Sequence, residues 1–329
     1  QLSAGIFSFT PMGWRVISNI KKIIDDEMEK INCFEANLPV IQPSNIWKQS
    51  GRIDSFIPPL ASFLDRRDKK MIIAPTHEEA VIDLVKNYLR SFRDLPFSVY
   101  HIQTKFRDET RPRGGLLRVR EFEMKDAYSF HADEKSLDQT FEKFSDAYFN
   151  IFKRCGLNVA KVAADSGAIG GKVSSEFVSL SESGEDTILM CDSCSYSANE
   201  EKAEFVRFNK KPLDLESKEE VETIGIKSID ELSNFFKLSK ENFLKTMVYI
   251  SDGKPILATL SGDLEVNETK LRNYLGGEPR LATDEELKKF KLSQGYLSPL
   301  NNELETLLDI SVDINSDYIA GANKDNFHV

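Results

Sequence analysis

Residues 96–124 restrict the fold more than any other stretch. PFSVYHIQTKF alternates as a β-strand does, placing Phe97, Val99 and His101 on one side. LLRVREFEM reads as a second strand. ETRPRGG between them carries a proline and a glycine pair, which is loop composition. The expected unit is strand, long basic loop, strand, paired antiparallel. On the outgoing strand Arg118, Arg120 and Phe122 then share one face, and Arg107 and Glu109 share one face of the incoming strand.

The charge of this loop runs against the rest of the chain. FRDETRPRGGLLRVREF holds five arginines and three carboxylates, whereas the 329-residue chain has a formal net charge of −10. Guanidinium groups bind phosphate in a two-pronged fashion. A carboxylate accepts from an exocyclic amine, and an aromatic ring stacks on a base. Together these residues describe an ATP site on an antiparallel sheet. It is not a P-loop, because no GxxxxGK[ST] occurs.

With 40% hydrophobic and 29% charged residues, the chain has the composition of an ordinary globular protein, and its length allows two or three domains. The acidic total argues against a general nucleic-acid coat protein but leaves room for local patches that hold nucleotide or RNA. No apolar run approaches the length of a membrane span, so no membrane partner is expected. The start, QLSAGIFSF, lacks a basic segment followed by an apolar one, and the expected location is cytoplasmic. The first residue is Gln1 and not Met, so the chain reads as a fragment. Cys33, Cys155, Cys191 and Cys194 are too few and too scattered for a disulfide framework. Cys191 and Cys194 form one CxxC with no further His or Cys nearby in sequence. Both a thiol-bearing turn and a zinc knuckle completed by a partner stay open, and no metal ligand is assigned.

Apolar residues recur at helical spacing over 14–31 and again from Leu137 to Phe152. ANLPVIQP reads as a short strand broken by Pro39 and Pro43, and MIIA as a strand running into a Pro-Thr turn. Thr76 then stands where a helix N-cap is expected, with Glu79 as its capping-box partner. NVAKVAAD reads as a further strand. Composition turns polar over 206–222, which reads as a linker between a unit at 1–205 and a second α+β unit at 223–329. In the second unit the order is a helix near 228–237, the strand TMVYI, a turn at SDGKP, the strand ILATL and a helix at TDEELKKF.

FRDE, a loop and RVREF together resemble motif 2 of the class II aminoacyl-tRNA synthetases. PTHEEA, QTKFRDETRPRGGLLRVREFEMKDAYSFH, SGAIGGKVSSEF and LPVIQPSNIW (motif 1) narrow the resemblance to the bacterial type of prolyl-tRNA synthetase. FLKTMVYI, GYLSP and AGANKDNFHV resemble the editing insertion of that family. The resemblance implies an α+β protein: an antiparallel class II sheet flanked by helices at 1–205, and an α+β editing domain at 223–329 truncated at its C-terminal end. Motif 3 and the anticodon-binding domain, which the family carries, are not in this sequence.

The implied chemistry is ATP-dependent activation of proline, transfer to tRNA(Pro), and hydrolysis of mischarged Ala-tRNA(Pro). ATP is implied as substrate with Mg2+ on its phosphates, and motif 1 implies a homodimer. Arg107 would clamp the α-phosphate and the amino-acid carboxylate, Glu109 would face the adenine amine, Phe122 would stack on adenine, and Arg118 would reach the γ-phosphate. Thr76 and Glu78 would hold the proline imino group. Lys245, Asp309, Gly321 and His328 match editing-pocket positions, with His328 not expected to be a general base. A proline pocket discriminates poorly against the smaller alanine, by roughly 1–3 kcal/mol, which is the reason for a second hydrolytic site. Two positions depart from the family: Ser175 stands where His is common, and Ser298 where Gly is usual.

Plainer roles compete at several of these positions. Thr76 can be a helix cap, Glu78 a favourable first-turn carboxylate, Lys245 a solvated lysine and Asp309 the end of a strand. His77, His101 and His131 are expected to be structural or supporting groups. Two other functions fit the same motifs: an editing-only deacylase, and a non-catalytic paralogue that binds ATP, proline or RNA for regulation.

Overall fold

The structure is a computed structural model, and it describes residues 1–56, 58–167, 173–182, 184–205, 213, 217–300 and 303–329. The chain divides into two compact units, residues 1–162 with 166–185, and residues 163–165 with 186–329. Most of the linker expected at 206–222 and part of SGAIGGK lie outside the described residues.

In the first unit the order is α1 (Pro11–Lys30), β1 (Phe34–Glu35), β2 (Ile41–Pro43), α2 (Ser44–Gln49), β3 (Ser62–Leu64), β4 (Lys70–Ile73), α3 (Glu78–Tyr88), β5 (Phe97–Phe106), β6 (Glu121–Phe130), α4 (Glu134–Arg154), β7 (Ala160–Ala164) and β8 (Ser174–Val178). Ala163 and Ala164 of β7 cluster with the second unit. β5 and β6 pair antiparallel over ten residues, from Phe97 opposite Phe130 to Phe106 opposite Glu121, and β1 lies parallel to β5. Alternation gives this sheet two apolar faces. Tyr100 and Ile102 face a core made with Met28, Ile24, Ala147 and Ile151 of α1 and α4. Phe97 and Val99 face Val81, Val85 and Leu89 in and just beyond α3. The hairpin is therefore clamped between helices, and its loop end is left free to carry the arginines.

Helix limits follow local chemistry. α1 starts where Pro11 supplies a preset φ and the Thr10 hydroxyl accepts from the Gly13 backbone N–H. α3 corrects an expectation: its N-cap is His77, not Thr76, and no side chain caps it. Thr76 Oγ1 instead donates to Glu78 Oε2 at 2.6 Å, and Glu79 is buried and accepts from Ser50 and Arg52. A second correction concerns LLRVREFEM. The strand begins only at Glu121, because Arg118 forms a local bridge back to Arg113. Arg118 and Arg120 thus precede the strand and do not alternate along it with Phe122. On the incoming side β5 ends at Phe106, so Arg107 and Glu109 lie beyond that strand as well.

The second unit contains β9 (Ile188–Met190), β10 (Ser197–Asn199), β11 (Val221–Glu222), α5 (Ile229–Phe236), β12 (Leu244–Ser251), β13 (Lys254–Ser261), α6 (Glu268–Leu275), β14 (Arg280–Leu281), α7 (Asp284–Lys289), β15 (Glu305–Leu308) and β16 (Phe327–His328). Its main sheet has the order β14-β12-β13-β15. β12 and β13 form a hairpin that turns at Asp252 and Gly253, both at positive φ, as a two-residue Asp-Gly turn demands. One face of that hairpin buries Val248 and Leu257 with Leu287 of α7, and the other buries Tyr249 and Ala258 with Leu271 of α6. Phe243, Leu232 and Ile319 make a smaller core under α5. Leu257 is fully buried. Leu257→Ala is expected to cost about 2–5 kcal/mol through lost burial and the cavity left behind, checked by the urea midpoint of the second unit. Among the described residues no helix is long and apolar enough to cross a membrane.

Candidate functional sites

In the first unit, Arg107 sits one residue beyond β5. Its backbone N–H donates to Arg120 O at 2.8 Å and its Nε to Pro75 O at 3.3 Å. Its guanidinium carbon lies 5.6 Å from the centre of the Phe122 ring. The structure thus brings Arg107, Phe122 and the Pro75–Glu78 segment together. Glu109 and Arg118 come together separately as a two-pronged ion pair, with Nε to Oε2 at 3.1 Å and a terminal nitrogen to Oε1 at 3.2 Å. Arg118 remains half exposed, so this pair is weakly held and can open to a ligand. Arg113 pairs with Glu185 at 2.7 Å, and Arg120 with Asp108.

Around Thr76 and Glu78 two carboxylates share one guanidinium. Arg52 reaches both Glu78 Oε2, at 3.3 Å, and Glu79 Oε1, at 3.1 Å. One guanidinium thus serves two carboxylates, and Glu78 also accepts from the Thr76 hydroxyl. The sequence reading missed Arg52. It stands outside any motif, and only the fold carries it to α3.

It also missed a buried cluster. Lys105 is fully buried, and its Nζ lies 2.7 Å from His77 Nδ1, 3.2 Å from His101 Nε2 and 3.1 Å from Asp126 Oδ2. Tyr128 donates its hydroxyl to the same Asp126 oxygen at 2.8 Å. Burial, with the neighbouring Lys105 charge, pushes the His77 imidazole down to about 4, so it is neutral and accepts from Lys105. Burial alone would raise the Asp126 carboxyl, but His101, Lys105 and Tyr128 more than offset it and hold it lowered. The available signal was register: His101 and Asp126 are direct cross-strand partners, on the same side of β5 as Lys105. His131 has a separate local partner, Ser136 Oγ at 2.8 Å.

The second unit holds a cavity of about 430 Å3 lined by Lys227, Lys240, Lys245, Asp263, Gly321 and His328, among others. Of the four positions expected there, Lys245, Gly321 and His328 line it and Asp309 does not. Asp309 follows the last residue of β15, where its carboxylate accepts from Ser311 N at 2.9 Å. Lys245 Nζ donates to Leu264 O at 2.7 Å and to Glu265 Oε1 at 2.5 Å, so it is held across the cavity wall. Ser298 is buried, and its hydroxyl accepts from Leu300 N at 3.2 Å, a bond glycine could not make. Ser175 is half-buried in β8. Cys191 and Cys194 are exposed free thiols. Backbone N–H groups of Ser193 and Tyr196 point at their sulfurs, and the Ser193 bond lowers the Cys191 thiol. Among the described residues the single gathering of three side chains able to ligate a metal is His77, His101 and Asp126.

His328 is buried with Nδ1 2.6 Å from Thr223 Oγ1, and its ring also bonds to the Gly295 backbone. Burial lowers it to about 4. Below its ordinary 6.5 the unfolded chain takes a proton that the folded one refuses, so stability falls as pH drops toward 4. Between pH 7 and pH 4 the wild type is expected to lose about 3 kcal/mol more than His328→Asn. Urea titrations of both proteins across that range check the difference in slope.

A family model described as the tRNA synthetase class II core domain (G, H, P, S and T) matches residues 61–256. The chain belongs to the class II tRNA synthetase core family. A second model, the aminoacyl-tRNA editing domain, matches residues 223–329. A proline–tRNA ligase of Dehalococcoides mccartyi (strain ATCC BAA-2266) is 50% identical over 335 residues, covering 100% of this chain and 58% of that protein. The proline–tRNA ligase of Halothermothrix orenii is 46% identical with the same coverage. This class II chain therefore spans 58% of the length of these relatives. A prolyl-tRNA synthetase from Cryptosporidium parvum, solved with halofuginone and AMPPNP, superposes with a TM-score of 0.50 at 18% identity, over 54% of this chain and 38% of that one, and supports the fold.

Proposed function

We propose that this class II chain carries the proline-activating core and the editing unit of a proline–tRNA ligase. One observation carries the reading: Arg107 is fixed against Pro75 O and Phe122, next to a Thr76–Glu78 segment whose carboxylate shares Arg52 with Glu79. Proline presents a carboxylate and a secondary ammonium, and this pairing of a guanidinium with an anionic wall suits both ends. ATP, with its magnesium counterion, and proline are the substrates. A proline carboxylate oxygen attacks the α-phosphorus, the bond to pyrophosphate breaks, and prolyl-adenylate forms. Arg107 stabilises the charge that builds on the α-phosphate oxygens. Phe122 offers a face to adenine. The Glu109–Arg118 pair opens, freeing Glu109 for the adenine amine and Arg118 for the γ-phosphate. Transfer to the 3′ end of tRNA(Pro) follows.

The cavity of the second unit then hydrolyses alanine from mischarged tRNA(Pro), with Lys245 contacting the 3′-terminal phosphate or ribose. Gly321 and His328 shape the pocket by packing, and both His328 nitrogens are engaged, so it positions and does not take a proton. The domain limits that serve this reading are 1–205 for activation and 223–329 for editing. A homodimer and a cytoplasmic location belong to the same reading. The exposed Met12, Val16 and Ile20 along α1 support the dimer.

The test is ATP–pyrophosphate exchange on the full-length protein with each amino acid in turn. Proline-dependent exchange with a weaker alanine signal is expected. Exchange with a different amino acid alone overturns the choice of proline. No exchange, with Ala-tRNA(Pro) hydrolysis retained, would establish an editing-only deacylase. Neither activity, with ATP or proline still bound, would establish a regulatory paralogue.

A further inference from the structure

His77 stands between Thr76 and Glu78, and the three side chains diverge in burial. His77 is fully buried while Glu78 reaches the surface. The buried end is what the rest of the unit grips. Lys105 Nζ is 2.7 Å from His77 Nδ1 and 3.1 Å from Asp126 Oδ2, and His101 Nε2, 3.2 Å from the same nitrogen, lies 3.3 Å from that Asp126 oxygen. Tyr128, which donates to the same Asp126 oxygen, also packs beside the Thr76 hydroxyl. The Thr76 hydroxyl donates to Glu78 Oε2 at 2.6 Å. The tether from Lys105 thus ends on His77, which stands between Thr76 and Glu78 in the chain, and Tyr128 adds a contact with Thr76 itself.

The cluster has the ligand set of a metal site, since the ligand atoms of His77, His101 and Asp126 lie within 4.8 Å of one another. The Lys105 ammonium already sits within hydrogen-bond distance of all three, where a cation would go. Burying an ammonium and a carboxylate costs more than filling the same space with apolar side chains. What such a pair supplies is a fixed orientation of the groups that it holds.

We propose that Lys105 is a positioning residue for amino-acid activation: its buried ammonium tethers the His77 side chain and so holds Thr76 and Glu78 in the geometry that receives the substrate ammonium. This rests on the proline-activation reading above. Lys105 itself touches no substrate. Its loss loosens the amino-acid pocket and leaves the Arg107–Phe122 nucleotide surface in place.

The experiment is ATP–pyrophosphate exchange in the full-length protein, with proline and ATP varied separately. The variants are Lys105→Met, Lys105→Gln and His77→Leu, and thermal melts are recorded alongside. Lys105→Met is expected to raise KM for proline about 10-fold or more while KM for ATP stays within about twofold. Lys105→Gln, which keeps one donor toward His77, should fall between it and the wild type. His77→Leu removes the tethered group without deleting the ammonium, and it should reproduce the selective rise if Lys105→Met does not fold. A proline KM unchanged in the folded variants, or both KM values rising together, overturns the positioning role alone. A wild type that shows no proline-dependent exchange overturns the activation reading and this inference with it.

Discussion

Arg107→Ala in the full-length protein is expected to lower proline-dependent ATP–pyrophosphate exchange by about 100- to 1,000-fold, the usual effect of removing one preorganised donor from a developing anion. The guanidinium does not have to be assembled at the moment of reaction. Its backbone N–H is tied to Arg120 O, its Nε to Pro75 O, and its plane lies by the Phe122 ring. Each tie removes freedom before substrate arrives, so little reorganisation is left to oppose catalysis. Arg107→Lys keeps the charge but not the fork, and it should recover only part of the loss. Because Arg107 is only half-buried, the melting temperature should move little. A fall of less than tenfold in exchange, with the fold intact, would remove Arg107 from the centre of the chemistry.

Gly321→Ala is expected to abolish hydrolysis of alanyl-tRNA and to destabilise the second unit by about 3 kcal/mol. A Cβ at this position would lie 2.1 Å from both the carbonyl carbon and oxygen of Tyr296, and 2.5 Å from Leu297 O. No flexible side chain can yield there, because the neighbours are backbone. The same stretch is tied down on the other side by Asn323 N donating to Tyr296 O at 2.9 Å and by the Gly321–His328 bridge. Tyr296, Leu297 and His328 are all buried, so any shift spreads into the cavity wall. Deacylation of charged tRNA and a urea melt measure the two effects. Exchange with proline should be unchanged, since Arg107, Phe122, Thr76 and Glu78 all lie in the first unit. Full deacylation by Gly321→Ala would mean the cavity is not the hydrolytic site.

The elements that follow one local rule were legible. The hairpin of β5 and β6 follows from alternation, α1 and α4 from helical spacing, and the Asp252–Gly253 turn from its two residue types. The misreadings share a cause. Arg118 and Arg120 continue an alternating pattern, yet the bridge between Arg113 and Arg118 closes the loop on itself before the strand begins. Thr76 has cap chemistry, but its proton goes to Glu78 and the helix starts one residue later. Asp309 follows β15 with its carboxylate on Ser311 N, and it is not among the residues that line the cavity.

By itself the sequence determined which residue types were available for phosphate, adenine and a substrate ammonium, and that the arginines gather at one strand–loop–strand unit. Those properties depend on local backbone periodicity and on side-chain chemistry, and both are written in neighbouring residues. Only the tertiary structure decided that Arg52 shares its charge between Glu78 and Glu79, that Lys105 is buried against His77, and that Lys245 and His328 line one cavity. Each of these joins positions far apart in the chain. Whether a charge is paired, buried or left over depends on what the packed fold brings within a few ångströms of it, and no local pattern records that distance.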